Sequence, residues 1–218
     1  MLRATLFDMD GLLLDSEILW HRAEKEILGG LGVPFPDGAP RETKGMFVAE
    51  VVEFWRARFP WPEPDSSVIT NRILQRVGDL VEEVGALLPG AERALDLTAA
   101  RGPLALASST PMALIRRSLD HFGLTDRFAS LHSAEDEEWG KPNPAVFLSA
   151  AAALGVRPQD CVVFEDSAAG VVAAKAGRMT CVAVPTEEDR PLPAYGIADL
   201  VLHSLEELSP DWLDERFR

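Results

Sequence analysis

Ala4-Thr5-Leu6-Phe7-Asp8-Met9-Asp10-Gly11 decides how the rest of the chain is read. Its first four residues form a short apolar run without polar alternation, the pattern of a strand covered on both faces in a parallel sheet. The run ends abruptly on two carboxylates and a glycine. Outward from it, Pro103-Leu104-Ala105-Leu106-Ala107, Cys161-Val162-Val163-Phe164, Thr180-Cys181-Val182-Ala183-Val184 and Leu200-Val201-Leu202 repeat the same kind of run. Between them lie helical patterns. Met112, Ile115, Leu119 and Phe122 keep one face, and so do Val146, Phe147, Ala150 and Leu154, with Gly123 and Gly155 as stop signals. Strands that alternate with helices predict an α/β fold with a doubly wound parallel sheet.

The alternation lapses once, directly after the opening strand. From about Asp15 to Gly85 only helical periodicity is present. Leu19, Ala23, Ile27 and Leu31 form one stripe. Val48, Val51, Val52, Trp55 and Phe59 form a second, and Ile69, Ile73, Val77, Leu80 and Val84 a third. The segments Val33 to Pro40 and Pro60 to Pro64 punctuate them. The expected organisation is an α/β core of residues 1–14 and 86–218 with an α-helical cap of residues 15–85, the chain returning near Leu87-Leu88-Pro89-Gly90.

The 218 residues are 47% hydrophobic and 26% charged, ordinary for a globular chain with a real core. The formal charge is −14, which argues against nucleic acid or an anionic membrane as general partners, because both repel it. No run of about 18 apolar residues is present and the N-terminus lacks a signal-peptide pattern, so a cytoplasmic protein is expected. A monomer is the separate expectation for its assembly. Cys161 and Cys181 sit in apolar runs and read as buried free thiols. The acidic run Glu135 to Glu138 reads as a solvated loop.

Ligands of a doubly wound sheet bind beyond the carboxyl ends of its strands. After the first strand comes Asp8-Met9-Asp10-Gly11, and after the second Ser108-Ser109-Thr110. With the strand at Cys161 counted as the fourth, Glu165-Asp166-Ser167 follows it, and Gly140-Lys141-Pro142 lies upstream of the helix joining third and fourth. Carboxylates, hydroxyls and a lysine thus arrive at one edge. That inventory suits phosphoryl transfer through an aspartyl-phosphate, where the work is positioning and charge stabilisation. A carboxylate that attacks a phosphate dianion needs a bridging divalent cation, and hard oxygen ligands select Mg²⁺. The dianion with ionised Asp8 and Asp166 carries about −4, which Mg²⁺ and Lys141 reduce to about −1. Side chains two residues apart in an extended segment point the same way, so Asp8 and Asp10 can serve one substrate as nucleophile and general acid. Gly11 permits the sharp departure from the strand. The amides of Met9, Asp10 and Ser109, with the Ser108 hydroxyl, can cradle phosphoryl oxygens.

Taken singly, these residues have plainer readings. Ser108 can cap the helix opening at Pro111, Lys141 can be a solvated lysine, and Glu165-Asp166 can cap the helix near Ser167. His21, His121, His132 and His203 adjoin no candidate nucleophile. Trp20, Trp55 and Trp61 read as cap packing, with Glu17 and Trp20 the candidates for substrate contact.

Asp8-Met9-Asp10-Gly11-Leu12-Leu13-Leu14-Asp15-Ser16-Glu17, Leu106-Ala107-Ser108-Ser109, Gly140-Lys141-Pro142 and Phe164-Glu165-Asp166-Ser167 resemble, in order, the four motifs of the haloacid dehalogenase superfamily. The likeness covers essentially the whole chain and is strongest to the β-phosphoglucomutase-like branch, among the small-sugar-phosphate phosphatases typified by 2-deoxyglucose-6-phosphate and hexitol phosphatases. Leu19-Trp20 with Arg22-Ala23-Glu24, Trp55 to Trp61 and Leu87 to Gly90 support the narrower match. The resemblance implies a Rossmann-like core and a Mg²⁺-dependent phosphatase acting on a small phosphorylated metabolite. It makes Asp8 the nucleophile and a metal ligand. Asp10 becomes the acid and base, and binds metal through its carbonyl. Ser108 and Lys141 hold the phosphoryl group, and Asp166 completes the metal site. Glu165 either orients metal-bound waters or coordinates directly.

Three other functions compete. A sugar-phosphate mutase of the same branch would use a cap arginine for a second phosphate. Lys44-Gly45-Met46-Phe47-Val48-Ala49 has none, although Lys44 can partly substitute. A dehalogenase needs neither Asp10 as acid nor a metal. An aspartate-phosphorylated signalling switch uses similar groups, but its phosphorylated residue follows the acidic pair, and it needs no helical insert.

Overall fold

Ala4–Phe7 forms β1, with every side chain buried. Three helices follow in sequence, α1 (Glu17–Gly29), α2 (Val48–Arg58) and α3 (Ser66–Val84). The alternating part then runs α4 (Ala91–Ala99), β2 (Leu104–Ser108), α5 (Met112–His121), β3 (Ser130–Ser133), α6 (Ala145–Ala153), β4 (Cys161–Glu165), α7 (Ala168–Ala176), β5 (Thr180–Ala183), β6 (Leu200–Val201) and α8 (Pro210–Arg216). The computed structural model describes residues 1–35, 43 and 46–217. The chain divides into two compact units, Met1–Leu14 with Leu87–Arg218, and Asp15–Ala86.

In the first unit six parallel strands stand in the order β3-β2-β1-β4-β5-β6. This is the α/β doubly wound sheet that the apolar runs predict. Phe7 and Phe164 stack across neighbouring strands with ring centroids 4.8 Å apart. Both are fully buried, and each contributes roughly 2–3 kcal/mol by leaving water. One strand carries no apolar run. β3 is Ser-Leu-His-Ser at the sheet edge, mostly half-buried, so little hydrophobic pressure acts on its sequence. Ser108 and Glu165, read as following their strands, are the last residues within them.

The helical unit is organised on α3, which packs against both α1 and α2. Ile69, Ile73, Val77, Leu80 and Val81 are buried along it. Asp65 caps its start by accepting from the Ser66 amide at 2.8 Å, and Arg56 ties Asp65 and Ser66 to α2. Three stripe assignments shift. On α1 the buried face is Leu19, Ala23, Glu24 and Leu28, whereas Ile27 and Leu31 are half-buried, because the covered stripe is rotated from the one expected. Phe59 lies beyond the end of α2 and Val84 ends α3, and both are exposed. The helical unit spans Asp15–Ala86. The Asp15 amide donates to the Ala86 carbonyl at 3.0 Å, pairing the two ends of the insert. Most of the segment Val33 to Pro40 and the candidate Lys44 lie outside the described residues. Among the described residues no helix is long and apolar enough to cross a membrane. Cys161 and Cys181 are buried free thiols.

Candidate active site

Strand register assembles the site. Phe7 pairs with Phe164 on β4 and with Leu106 on β2, so Asp8, Ser108, Glu165 and Asp166 emerge at one edge of the sheet. The Asp8 amide donates to the Phe164 carbonyl at 3.1 Å, holding the first residue beyond β1 against β4. The chain then turns tightly, with the Met9 carbonyl accepting from the Leu13 and Leu14 amides at 2.9 and 3.0 Å. Gly11 sits at φ +70°, and a Cβ there would lie 2.4 Å from Asp166 Oδ2. Its backbone freedom and its missing side chain are therefore both used. The amides of Met9 and Ser109 donate to no group among the described residues.

Lys141 comes from the loop ahead of α6, and its side chain is buried at the centre. Its Nζ lies 2.7 Å from Asp8 Oδ1, 2.8 Å from Glu165 Oε2 and 3.3 Å from the Ala107 carbonyl. It is no solvated lysine. Burial alone would push its ammonium down, but Asp8 and Glu165 outweigh that and hold it above the ordinary lysine range. Glu165 also loses solvent, yet Lys141 and two donors from Ser167 keep its carboxyl below the usual value. Burial pushes the Asp8 carboxyl up to about 7 against the pull of Lys141, with Glu165 and Asp10 adding to the rise.

Asp8, Glu165 and Asp166, all buried, each offer a carboxylate oxygen within 4.8 Å of one another. Of the three buried carboxylates, Asp8 and Glu165 share the Lys141 ammonium, and this concentration of negative charge suits a hard divalent cation. The donor set therefore fits Mg²⁺. Glu165 counts in this tally beside Asp8 and Asp166, so a phosphate complex is one unit more negative than about −1. The Asp10 carboxylate is not part of the three-carboxylate group.

Asp10 Oδ2 instead accepts from Thr110 Oγ1 at 2.6 Å. Ser108 Oγ accepts from the Thr110 amide at 3.1 Å, which leaves its proton available, and it does not cap α5. That helix start is held by Glu135, whose Oε1 accepts from the Met112 amide at 2.8 Å, so one member of the acidic run has a structural task. Ser167 caps α7 by accepting from the Gly170 amide at 3.0 Å. Its amide and hydroxyl donate to Glu165 Oε1 at 3.0 and 2.8 Å. Tyr195 donates its buried hydroxyl to the Asp166 carbonyl at 2.7 Å. The sequence alone assigns neither Thr110 nor Tyr195 a role. Thr110 follows Ser108 by two residues, whereas Tyr195 acts from 29 residues beyond Asp166 with no local signal. Of the histidines, His132 Nε2 pairs with Ser130 Oγ, and His121 and His21 pack on Phe122 and Phe35.

The family model for haloacid dehalogenase-like hydrolases matches residues 2–178. The chain belongs to that family. Membership makes it a hydrolase and sets aside the signalling switch. Hexitol phosphatase B of Escherichia coli (strain K12) is 43% identical to this haloacid dehalogenase-like hydrolase over 209 residues, covering 94% of each chain. β-Phosphoglucomutase of Bacillus subtilis (strain 168) is 30% identical over 223 residues, covering 99% of this chain and 96% of its own. The crystal structure of β-phosphoglucomutase from Clostridium difficile superposes with a TM-score of 0.84 at 26% identity, covering 100% of this chain and 97% of that one.

Proposed function

We propose that this hydrolase is a Mg²⁺-dependent phosphatase that cleaves small sugar or sugar-alcohol phosphates through an aspartyl-phosphate on Asp8. The observation that carries the reading is the convergence of Lys141, Glu165 and Asp166 on the Asp8 carboxylate inside a buried cluster. The 43% identity to hexitol phosphatase B supports the substrate class.

Asp8 attacks phosphorus while Asp10 gives a proton to the departing alcohol oxygen. Asp10 then takes a proton from the water that cleaves the acyl phosphate. Lys141 steers the Asp8 carboxylate and offsets charge on the transferring group. Ser108 and the amides of Met9, Asp10 and Ser109 hold phosphoryl oxygens. Asp8, the Asp10 carbonyl and Asp166 hold Mg²⁺, which when bound neutralises charge developing on the phosphoryl oxygens. Glu165 is a positioning residue, because its carboxylate is occupied by Lys141 and Ser167. The insert Asp15–Ala86 is the cap, whose residues select the leaving group.

A phosphate-release screen across phosphorylated sugars, polyols, nucleotides and glycolate tests this reading, with EDTA and restored Mg²⁺ as controls. Sugar or polyol phosphates should turn over fastest, and Asp8→Asn should abolish turnover while leaving the fold intact. Wild-type phosphate release by that variant ends the mechanism. The 30% identity to β-phosphoglucomutase favours a second reading as a mutase. β-Glucose 1-phosphate with a bisphosphate activator decides it: glucose 6-phosphate as product supports the mutase, and free phosphate the phosphatase.

A further inference from the structure

We infer that Thr110 is the positioning residue of the general acid-base group, holding the Asp10 carboxylate through a short hydrogen bond while two buried serines hold Thr110. The inference rests on the phosphatase reading above, since it assigns Asp10 the proton transfers. Thr110 Oγ1 lies 2.6 Å from Asp10 Oδ2, and Thr110 itself is buried. Its peptide is clamped from both sides. The Thr110 amide donates to Ser108 Oγ at 3.1 Å, and its carbonyl accepts from Ser133 Oγ at 2.7 Å. Ser108 ends β2 and Ser133 ends the neighbouring strand β3, so two strand termini fix where the threonine hydroxyl is aimed. Both serines are 1% exposed, and at that burial their polar groups are costly to leave unpaired.

The hydroxyl has one proton, and the carboxylate takes it as an acceptor. This bond restrains the rotation of the Asp10 carboxylate about its side-chain torsion. In the first step the carboxylic acid of Asp10 passes its proton to the leaving oxygen as the phosphorus–alcohol bond breaks and the phosphorus–Asp8 bond forms. In the second, the Asp10 carboxylate takes a proton from water as the water–phosphorus bond forms and the phosphorus–Asp8 bond breaks. The Thr110 proton stays on Thr110 throughout. Its contribution is orientation, and orientation matters most where the departing group needs a proton.

Leaving-group dependence reads this out. In rapid-quench experiments with Mg²⁺-loaded protein, Thr110→Val should slow the first turnover of sorbitol 6-phosphate by roughly 10²-fold, with KM changed less than about threefold. The first p-nitrophenol burst from p-nitrophenyl phosphate should keep its wild-type rate, because that leaving group departs without a proton. Steady-state release after the burst should be slow, because water attack still needs Asp10. Thr110→Ser retains the hydroxyl and should restore most of the loss. Ser133→Ala should show the same split at smaller size, and it carries the test should the valine variant not fold. Equal slowing on both substrates, or wild-type rates on both, overturns the assignment. Absence of turnover in the wild-type protein on either ester instead counts against the phosphatase reading.

Discussion

The Lys141 ammonium stands 2.7 Å from Asp8 Oδ1, and both side chains are almost completely withdrawn from solvent. Because the same ammonium also holds Glu165 at 2.8 Å, removing it leaves two buried carboxylates facing each other. Breaking a buried pair of this kind costs about 3–5 kcal/mol. Lys141→Met should therefore be destabilised by that order in urea unfolding and lose turnover by more than about 10³-fold. Adding Glu165→Gln should return much of the stability and none of the activity. Recovery of activity in the double variant would contradict the role given to the lysine.

Burial raises the Asp8 carboxyl to about 7. A carboxylate oxygen ligates a cation only as the anion, so at the proposed Mg²⁺ site protons and the cation would compete for Asp8. Apparent Mg²⁺ affinity should rise about tenfold per pH unit up to about pH 7 and level off above it. Calorimetric Mg²⁺ titrations between about pH 5.5 and about pH 8.5 check this. In Asp8→Asn binding should be weaker and the Asp8 inflection absent. An unbroken slope through pH 8 in the wild type would assign the proton to another group.

Gly170 lies in the first turn of α7, where a Cβ would fall 1.9 Å from Glu165 Oε2. Helix propensity alone makes Gly→Ala favourable by about 1 kcal/mol. Here the clash reverses the sign, because Glu165 must abandon Lys141 to make room. Gly170→Ala should lower both melting temperature and turnover. Gly29→Ala, at the end of α1 with open space around its Cβ, should be neutral or slightly stabilising by the same measurements. A stable, active Gly170→Ala would show that Glu165 can move without consequence.

Much of this arrangement is legible in the chain because strands buried on both faces announce themselves as apolar runs. Once Phe7, Ala107 and Phe164 are placed near strand ends, Asp8, Ser108, Glu165 and Asp166 follow by adjacency. What adjacency does not convey is how side chains divide the work. Glu165 and Asp166 are neighbours of equal charge, yet one is tied to Lys141 and Ser167 while a Cβ on Gly11 would strike the other. Lys141 and Gly11 are distant in sequence from the carboxylates they meet, and so are Thr110 from Asp10 and Tyr195 from Asp166. β3 escapes notice for the opposite reason: the edge strand Ser-Leu-His-Ser, half-buried except at Ser133, lacks the hydrophobic signature. The rotated face of α1 depends on where α3 packs, which a helical stripe alone does not specify.

That rotation leaves Glu24 buried, and desolvation pushes its carboxyl up to about 7. A raised carboxyl favours the protonated folded state, so the stability it permits at low pH is lost as pH climbs from about 4.5 to about 7. The loss amounts to about 3 kcal/mol at most by linkage. Glu24→Gln removes the charge at nearly constant volume. At about pH 8 the variant should melt several degrees above the wild type, and at about pH 5 the two should nearly coincide. Differential scanning calorimetry at both pH values measures the difference. A variant less stable than wild type at the higher pH would mean that the folded helical unit uses the Glu24 anion.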